Sequence, residues 1–365
     1  MKPSMTTVPP ARPQEKHLSA NRSFQGIPGI CRLPSGRLFA TWYGGGCGEN
    51  QDNFVMLVYS DDDGASWSDS VWVVDPPPEM VRAYDPALFV SPEGRLFWFW
   101  SQAESSEKCA IFDGSAGVWM SVCDNVSDPV EEYRWSVPVR IADGIMMNKP
   151  TVLDNGDWAL PVSVWGCYSA QFPDNDPGDR LIITADGGKT FSERGRVLAG
   201  EDLRIFSEHY FYQLKDQKTI RVGVRTKKGC YCAESADGGI SWSELAPATY
   251  TTCNSRSFVI RLASGRLLAV FNDDPAVRRN MTAALSGDDG ATWTHKLLLD
   301  PRQETSYPDI VQAEDGTIYI IHDHARYQGG YILVSRITER DIEAGRLVDP
   351  ASYASRIVSH TKNVQ

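Results

Sequence analysis

Six short β-rich runs in this 365-residue sequence open on side chains that can move protons or hold anions. Gln25 precedes "GIPGICRL", Arg82 and Asp85 sit in "RAYDPALFV", and Asn148 and Lys149 open "NKPTVL". Glu208 and His209 open "EHYFYQL", Arg256 lies in "SRSFVIRL", and Tyr307 and Asp309 lie in "SYPDIVQ". Carboxylates, imidazoles and phenols transfer protons when positioned against a reacting bond, and guanidinium groups grip oxyanions through paired N–H donors. Burying so many polar groups without partners would cost several kcal/mol each. If these starts converge they form a site, whereas packing alone would ask for an apolar plug.

The repeats say that they converge. After each run comes a polar turn and an alternating strand: "LPSGRLFATW", "SPEGRLFWFW", "LDNGDWALPVSVW", "LKDQKTIRVGVR", "LASGRLLAVFND" and "AEDGTIYIIHDH". The turn carries Gly36, Gly94, Gly156, Gly265 or Gly316, with Asp216-Gln217 in its place in the fourth unit. A third strand follows, and in units one, three, four and five a phrase [ST]-x-D-x-G-x-[ST]-[WF] leads into a fourth. Its copies are "SDDDGASW" from Ser60, "TADGGKTF" from Thr184, "SADGGISW" from Ser235 and "SGDDGATW" from Ser286. In a tight turn the Asp accepts backbone N–H bonds, the Gly takes positive φ, and the aromatic ring anchors the turn to its sheet.

Four antiparallel strands repeated six times predict an all-β fold, a six-bladed β-propeller whose closed ring protects its sheet edges. One domain over residues 21–365 is expected, behind a disordered Pro-rich tail over 1–20; only "ITERDIEAG" reads as a helix. Inner strands of a propeller begin around its central depression, which gathers the six polar starts at one place.

The totals limit the partners. A net charge of −11 offers no basic field for nucleic acid. No apolar run is long enough for a membrane span, and the opening lacks the apolar middle of a signal peptide, so a cytoplasmic location is expected. The 8 Cys are scattered, with only Cys230 and Cys232 close together, and read as buried free thiols. No metal or cofactor is expected, and His322 and His324 read as hydrogen-bonding side chains.

The four Asp phrases resemble the Asp-boxes, or BNR repeats, of the sialidase superfamily, over roughly residues 22–340. The resemblance implies a six-bladed propeller and assigns roles to matching positions. Tyr307 would be the nucleophile and Glu208 its base, since a neighbouring carboxylate makes a phenol usable near neutrality. Arg225 and Arg278, with Arg279 as the register alternative, would hold a sugar carboxylate. The acid/base Asp would be Asp52, with Glu49 in reserve. One departure stands out: the family carries an Arg directly before Ile-Pro in blade one, and this chain has Gly26 there. Arg82 or Lys149 could replace it from a neighbouring blade, and Gln25, Asp85, His209 and Arg256 complete the expected substrate contacts. The implied activity is an exo-acting glycoside hydrolase removing a terminal acidic sugar from a glycan or oligosaccharide. A uronate lyase and a non-catalytic carbohydrate-binding propeller are the alternatives.

Overall fold

The computed structural model describes residues 6–77, 81–104, 116–165 and 177–363. Six four-stranded antiparallel sheets follow one another along the chain, each made of consecutive strands. Their inner strands are Gln25–Arg32, Val81–Val90, Thr151–Val152, Tyr210–Gln213, Phe258–Arg261 and Thr305–Gln312. The expected all-β six-bladed propeller is therefore the observed fold. Among the described residues a single short α-helix, Glu339–Ala344, is capped by Thr338, whose hydroxyl accepts the Asp341 N–H. Among the described residues no helix is long and apolar enough to cross a membrane.

Local chemistry explains the repetition. In the turn joining first and second strands, Gln217 takes φ 57° in unit four, where the other units use glycine, for example Gly94 at φ 81°. The Asp phrase builds the same knot four times. The hydroxyls of Ser60, Thr184, Ser235 and Ser286 donate to Asp62, Asp186, Asp237 and Asp288 at 2.7–2.9 Å. Each hydroxyl accepts the N–H of Gly64, Gly188, Gly239 or Gly290 at 2.7–3.0 Å. The same carboxylates accept the N–H of Ser66, Thr190, Ser241 and Thr292 at 2.8–2.9 Å. The aromatic that ends each phrase, Trp67, Phe191, Trp242 or Trp293, packs on a blade core.

Residues 6–20, expected as part of a disordered tail, lie against blade one instead. Ala11 exchanges two backbone bonds with Val73, at 2.8 and 2.9 Å, and buried His17 meets Asp75 at 2.9 Å. The opposite end packs nearby: the Lys362 N–H donates to the Arg22 carbonyl at 3.0 Å, and Arg22 Nη2 to Ser359 at 3.0 Å.

The inner strands of blades one, two and six share a fault that matters for the site. Their register slips between Gly26 and Gly29, Tyr84 and Ala87, and Ser306 and Asp309. Inside each slip a residue precedes proline, and Ile27, Asp85 and Tyr307 adopt φ of 61°, 47° and 57°. Proline has no N–H for the ladder, so the strand bulges, and a bulge re-aims its side chain. Non-glycine residues held at positive φ carry strain of about 1–3 kcal/mol each, which persists only where surroundings impose it.

Arg256 imposes it. Buried on the ring axis, its guanidinium donates to the carbonyls of Met147 (2.5 Å), Pro28 (3.1 Å), Tyr307 (3.0 Å) and Pro308 (2.9 Å). Lys149 adds a second tie, donating to the carbonyls of Ile30 and Ile310 and pairing with Asp309 at 3.0 Å. Arg256→Met would leave four buried carbonyls without their donor. We expect a loss of about 3–5 kcal/mol, the scale for breaking a buried charge network, read from urea unfolding. A loss under about 1 kcal/mol would show that the ring closes without this hub.

Candidate active site

A cavity of about 70 Å³ opens at the starts of the inner strands. All three re-aimed residues, Ile27, Asp85 and Tyr307, line it. Blade one adds Tyr43 and Glu49, blade two Arg82 and Tyr84, and blades three and four Met147, Trp165, Phe206 and Glu208. A neighbouring cleft of about 360 Å³ is lined by Arg278, Gln303, Glu304, Ser306, Arg326 and Tyr327, with Val277 at its edge.

Tyr307 is the centre of the polar network. Its hydroxyl donates to Glu208 Oε1 at 3.1 Å and accepts from Arg225 Nη1 at 3.4 Å. Arg225 also forms a short buried ion pair with Glu208 and donates from Nε to Asn254 Oδ1 at 2.6 Å. Burial works against the Arg225 charge, but Glu208 and Tyr307 beside it hold its pKa above the usual guanidinium value. Arg278 reaches the Tyr307 hydroxyl at 3.5 Å, and its guanidinium lies 5.0 Å from the ring centre. Arg279 turns away to Asp274 at 2.6 Å, so of the two registers Arg278 is the one facing the site.

Arg326, which sequence reasoning missed, stands 4.6 Å over the same ring. It meets Asp323 at 3.5 Å and Glu49 at 3.4 Å. Burial opposes its charge, yet Asp323, Tyr307 and Glu49 raise its pKa well above the usual value. It occupies the volume that Gly26 leaves vacant: a Cβ on Gly26 would lie 2.2 Å from Arg326 Cδ. The blade-one position expected to carry an arginine is thus filled by the side chain of a blade-six arginine. Of the two expected replacements, Lys149 is committed to the ring carbonyls and Asp309, while Arg82 lines the cavity from blade two.

The other expected site residues divide. Asp85 lines the cavity; burial pushes its carboxyl up to about 8, helped by Glu49 and Glu208 and opposed by Arg82 and Arg256. Asp52 is exposed and absent from both linings, whereas Glu49, its reserve in the same loop, faces the cavity and accepts the Tyr327 hydroxyl at 2.9 Å. Gln25 lies outside the cavity, bound to Arg22 (3.0 Å), Trp42 (3.0 Å) and the Gly330 carbonyl (2.7 Å). His209 is locked between Ser163 (3.0 Å) and the Arg180 carbonyl (3.0 Å), and burial lowers it to about 4, so it stays neutral. Arg256 lies 5.4 Å from the Tyr307 ring centre, with both its Nη atoms spent on carbonyls. Gln25, His209 and Arg256, like Lys149, serve the architecture's own hydrogen-bonding demands.

His322 Nε2 contacts Asp300 at 3.2 Å, and His324 stacks on Tyr331 at 5.8 Å. Trp165 and Phe206, in contact at 5.4 Å, form an apolar wall. The readable sign of the site was the recurrence of Ile27-Pro, Asp85-Pro and Tyr307-Pro at matching points of three repeats.

Known proteins share this architecture. The Hadza microbial sialidase Hz136 is 17% identical with a TM-score of 0.67, over 82% of this chain; the chain spans 63% of that protein. The leech intramolecular trans-sialidase is 12% identical (TM-score 0.68), with 93% of this chain and 71% of that one covered. The Penicillium chrysogenum α-L-arabinanase is 14% identical (TM-score 0.63), with 92% and 99% covered. No curated protein matches the sequence. The BNR repeat-like domain model matches residues 36–320, most of the chain, and the protein therefore belongs to the BNR repeat-like family.

Proposed function

We propose that the protein is an exo-acting glycoside hydrolase that removes a terminal acidic sugar, with Tyr307 as nucleophile. The observation that carries this reading is the buried Tyr307–Glu208 hydrogen bond of 3.1 Å in the cavity lining, with Arg225, Arg278 and Arg326 around the Tyr307 side chain. As the Tyr307 oxygen attacks the anomeric carbon, Glu208 takes the phenol proton and Glu49 protonates the departing glycosidic oxygen. Water then gives a proton to Glu49 and attacks the same carbon; the bond to Tyr307 breaks and the phenol recovers its proton from Glu208. Configuration is retained.

Arg225, Arg278 and Arg326 would hold the sugar carboxylate, the paired donors favouring a planar oxyanion. The Hz136 and leech proteins are named as acting on sialic acid chemistry, and the Penicillium protein as an arabinanase complexed with arabinobiose. The arginines favour the acidic sugar. A uronate lyase working through histidine finds little support, because His209 is bound at both ring nitrogens, His322 is buried against Asp300, and neither lines the cavity.

Tyr307→Phe is expected to lower kcat on a 4-methylumbelliferyl glycoside of an acidic sugar by at least about 100-fold, measured by fluorescence with melting temperature as fold control. Unchanged turnover in that variant would remove Tyr307 from the chemistry. Glu49→Gln should lower kcat about 10²–10⁴-fold on a natural oligosaccharide and less on the umbelliferyl glycoside, whose leaving group needs little protonation. Asp52→Asn should stay within about twofold on both, and the reverse pattern would return the acid/base role to Asp52.

Asp85 provides a pH test of the cavity's electrostatics. Its folded pKa, about 8, lies above the ordinary 3.8, so the folded state holds its proton over a range where the unfolded chain releases it. Relative to a neutral side chain, stability is unaffected below about pH 4, falls as pH rises, and levels off above about pH 8. Asp85→Asn should accordingly match the wild type at pH 4 and exceed it in urea midpoint at pH 8.5. An equal advantage at both pH values would mean that Asp85 is ionised throughout.

A further inference from the structure

One cavity side chain has no use in this mechanism. Arg82 is 1% exposed, and neither Nε nor Nη2 has an acceptor in the described structure. No carboxylate of the described residues lies within ion-pair distance of it; its neighbours are the rings of Tyr84 and Tyr43, 4.4 and 5.7 Å from the guanidinium carbon. Nε and Nη2 form one edge of the guanidinium, the fork that meets both oxygens of an oxyanion side on. A buried guanidinium with this edge empty is costly. Arg225 and Arg326 each meet a carboxylate, and Arg256 leaves only Nε without a partner while its two Nη atoms are bound to carbonyls, so among these four arginines the empty Nε–Nη2 fork is particular to Arg82.

The same cavity carries further orphans. Asp85 Oδ1, three residues along the same strand, and Glu208 Oε2 are also buried without partners, and both residues line the cavity with Arg82. Asp85, protonated by burial, can donate to an oxyanion seated on the fork.

We infer that Arg82 is a specificity residue that takes a second oxyanion on the terminal sugar, a sulfate ester or second carboxylate, apart from the carboxylate held beside Tyr307. This rests on the acidic-sugar reading and narrows its substrate class to doubly anionic sugars. The two anions would lie on different sides of the cavity: one against Arg225, Arg278 and Arg326 from blades four to six, the other on Arg82 and Asp85 of blade two.

The test is calorimetric titration of the full chain with glucuronate, its mono-O-sulfated forms, N-acetylneuraminate and neutral glucose. At least one sulfated form is expected to bind the wild type about 10- to 100-fold more tightly than glucuronate, the worth of one charge-assisted pair. Arg82→Met should remove that gain and leave glucuronate within about threefold. Arg278→Gln should weaken both alike. If the Met variant does not fold, Arg82→Lys keeps the charge and stem but lacks the fork, and should also lose most of the gain. No gain for any sulfated form in the wild type, or a gain that survives in Arg82→Met or Arg82→Lys, overturns the assignment of Arg82 while leaving the acidic-sugar reading intact. Silence toward glucuronate, its sulfates and N-acetylneuraminate alike overturns the acidic-sugar reading and the inference with it.

Discussion

The structure depends on one buried cation that neutralises no carboxylate. Arg256 carries N–H donors in a fixed planar fork, and the bulged inner strands offer carbonyls that no neighbouring strand can use. Three of them, from Pro28, Tyr307 and Pro308, converge on it together with the Met147 carbonyl from the segment ahead of the third inner strand. The bulges arise because proline cannot continue a ladder, and their positive φ values would be unstable in isolation. Joining the carbonyls of three blades through one guanidinium makes the strained conformations mutually supporting. Tyr307 is held by its own carbonyl and that of the next residue, so the hydroxyl's position above Glu208 is fixed by the axis of the ring.

A net charge of −11 gives no hint of a cationic centre, yet arginines gather there. The conflict disappears when local and global charge are separated: a small anion responds to the nearest guanidinium groups, not to distant surface carboxylates screened by solvent. In the resting site these arginines are partly engaged, Arg225 by Glu208 and Arg326 by Asp323 and Glu49. Such pairs keep the buried cations tolerable without a ligand. An incoming carboxylate must then share or displace them.

Most of the architecture was legible because it is periodic. Glycine turns, alternating strands and the Asp phrase recur at similar spacing, and each copy tests the others. The side chains at the strand starts were legible as a set, but not their division of labour. Gln25, Lys149, His209 and Arg256 obey the same placement rule as Tyr307 and Glu208, while their donors go to carbonyls, hydroxyls and neighbouring side chains of the scaffold. Nothing in the sequence distinguishes a polar group serving the backbone from one serving a ligand, since both lie on the axis and both are buried. Asp52 and Glu49 share a loop with no repeating register, so which of the two faces inward was settled only in three dimensions. The placing of Arg326 was hidden for a different reason: it depends on an absent side chain at Gly26, a relation between opposite ends of the chain.

That exchange between Gly26 and Arg326 changes more than the origin of one charge. An arginine at position 26 would project from an inner strand, whereas Arg326 follows the end of the strand Ile318–His324 and is steadied by Asp323 and Glu49. In the proposed mechanism Glu49 is also the acid/base, so anion binding and proton transfer draw on the same carboxylate. A sugar carboxylate that takes over Arg326 would release Glu49 from this contact, leaving its carboxyl free to turn toward the leaving group. Relocating the arginine therefore links occupation of the anion site to the position of the acid through the Arg326–Glu49 contact.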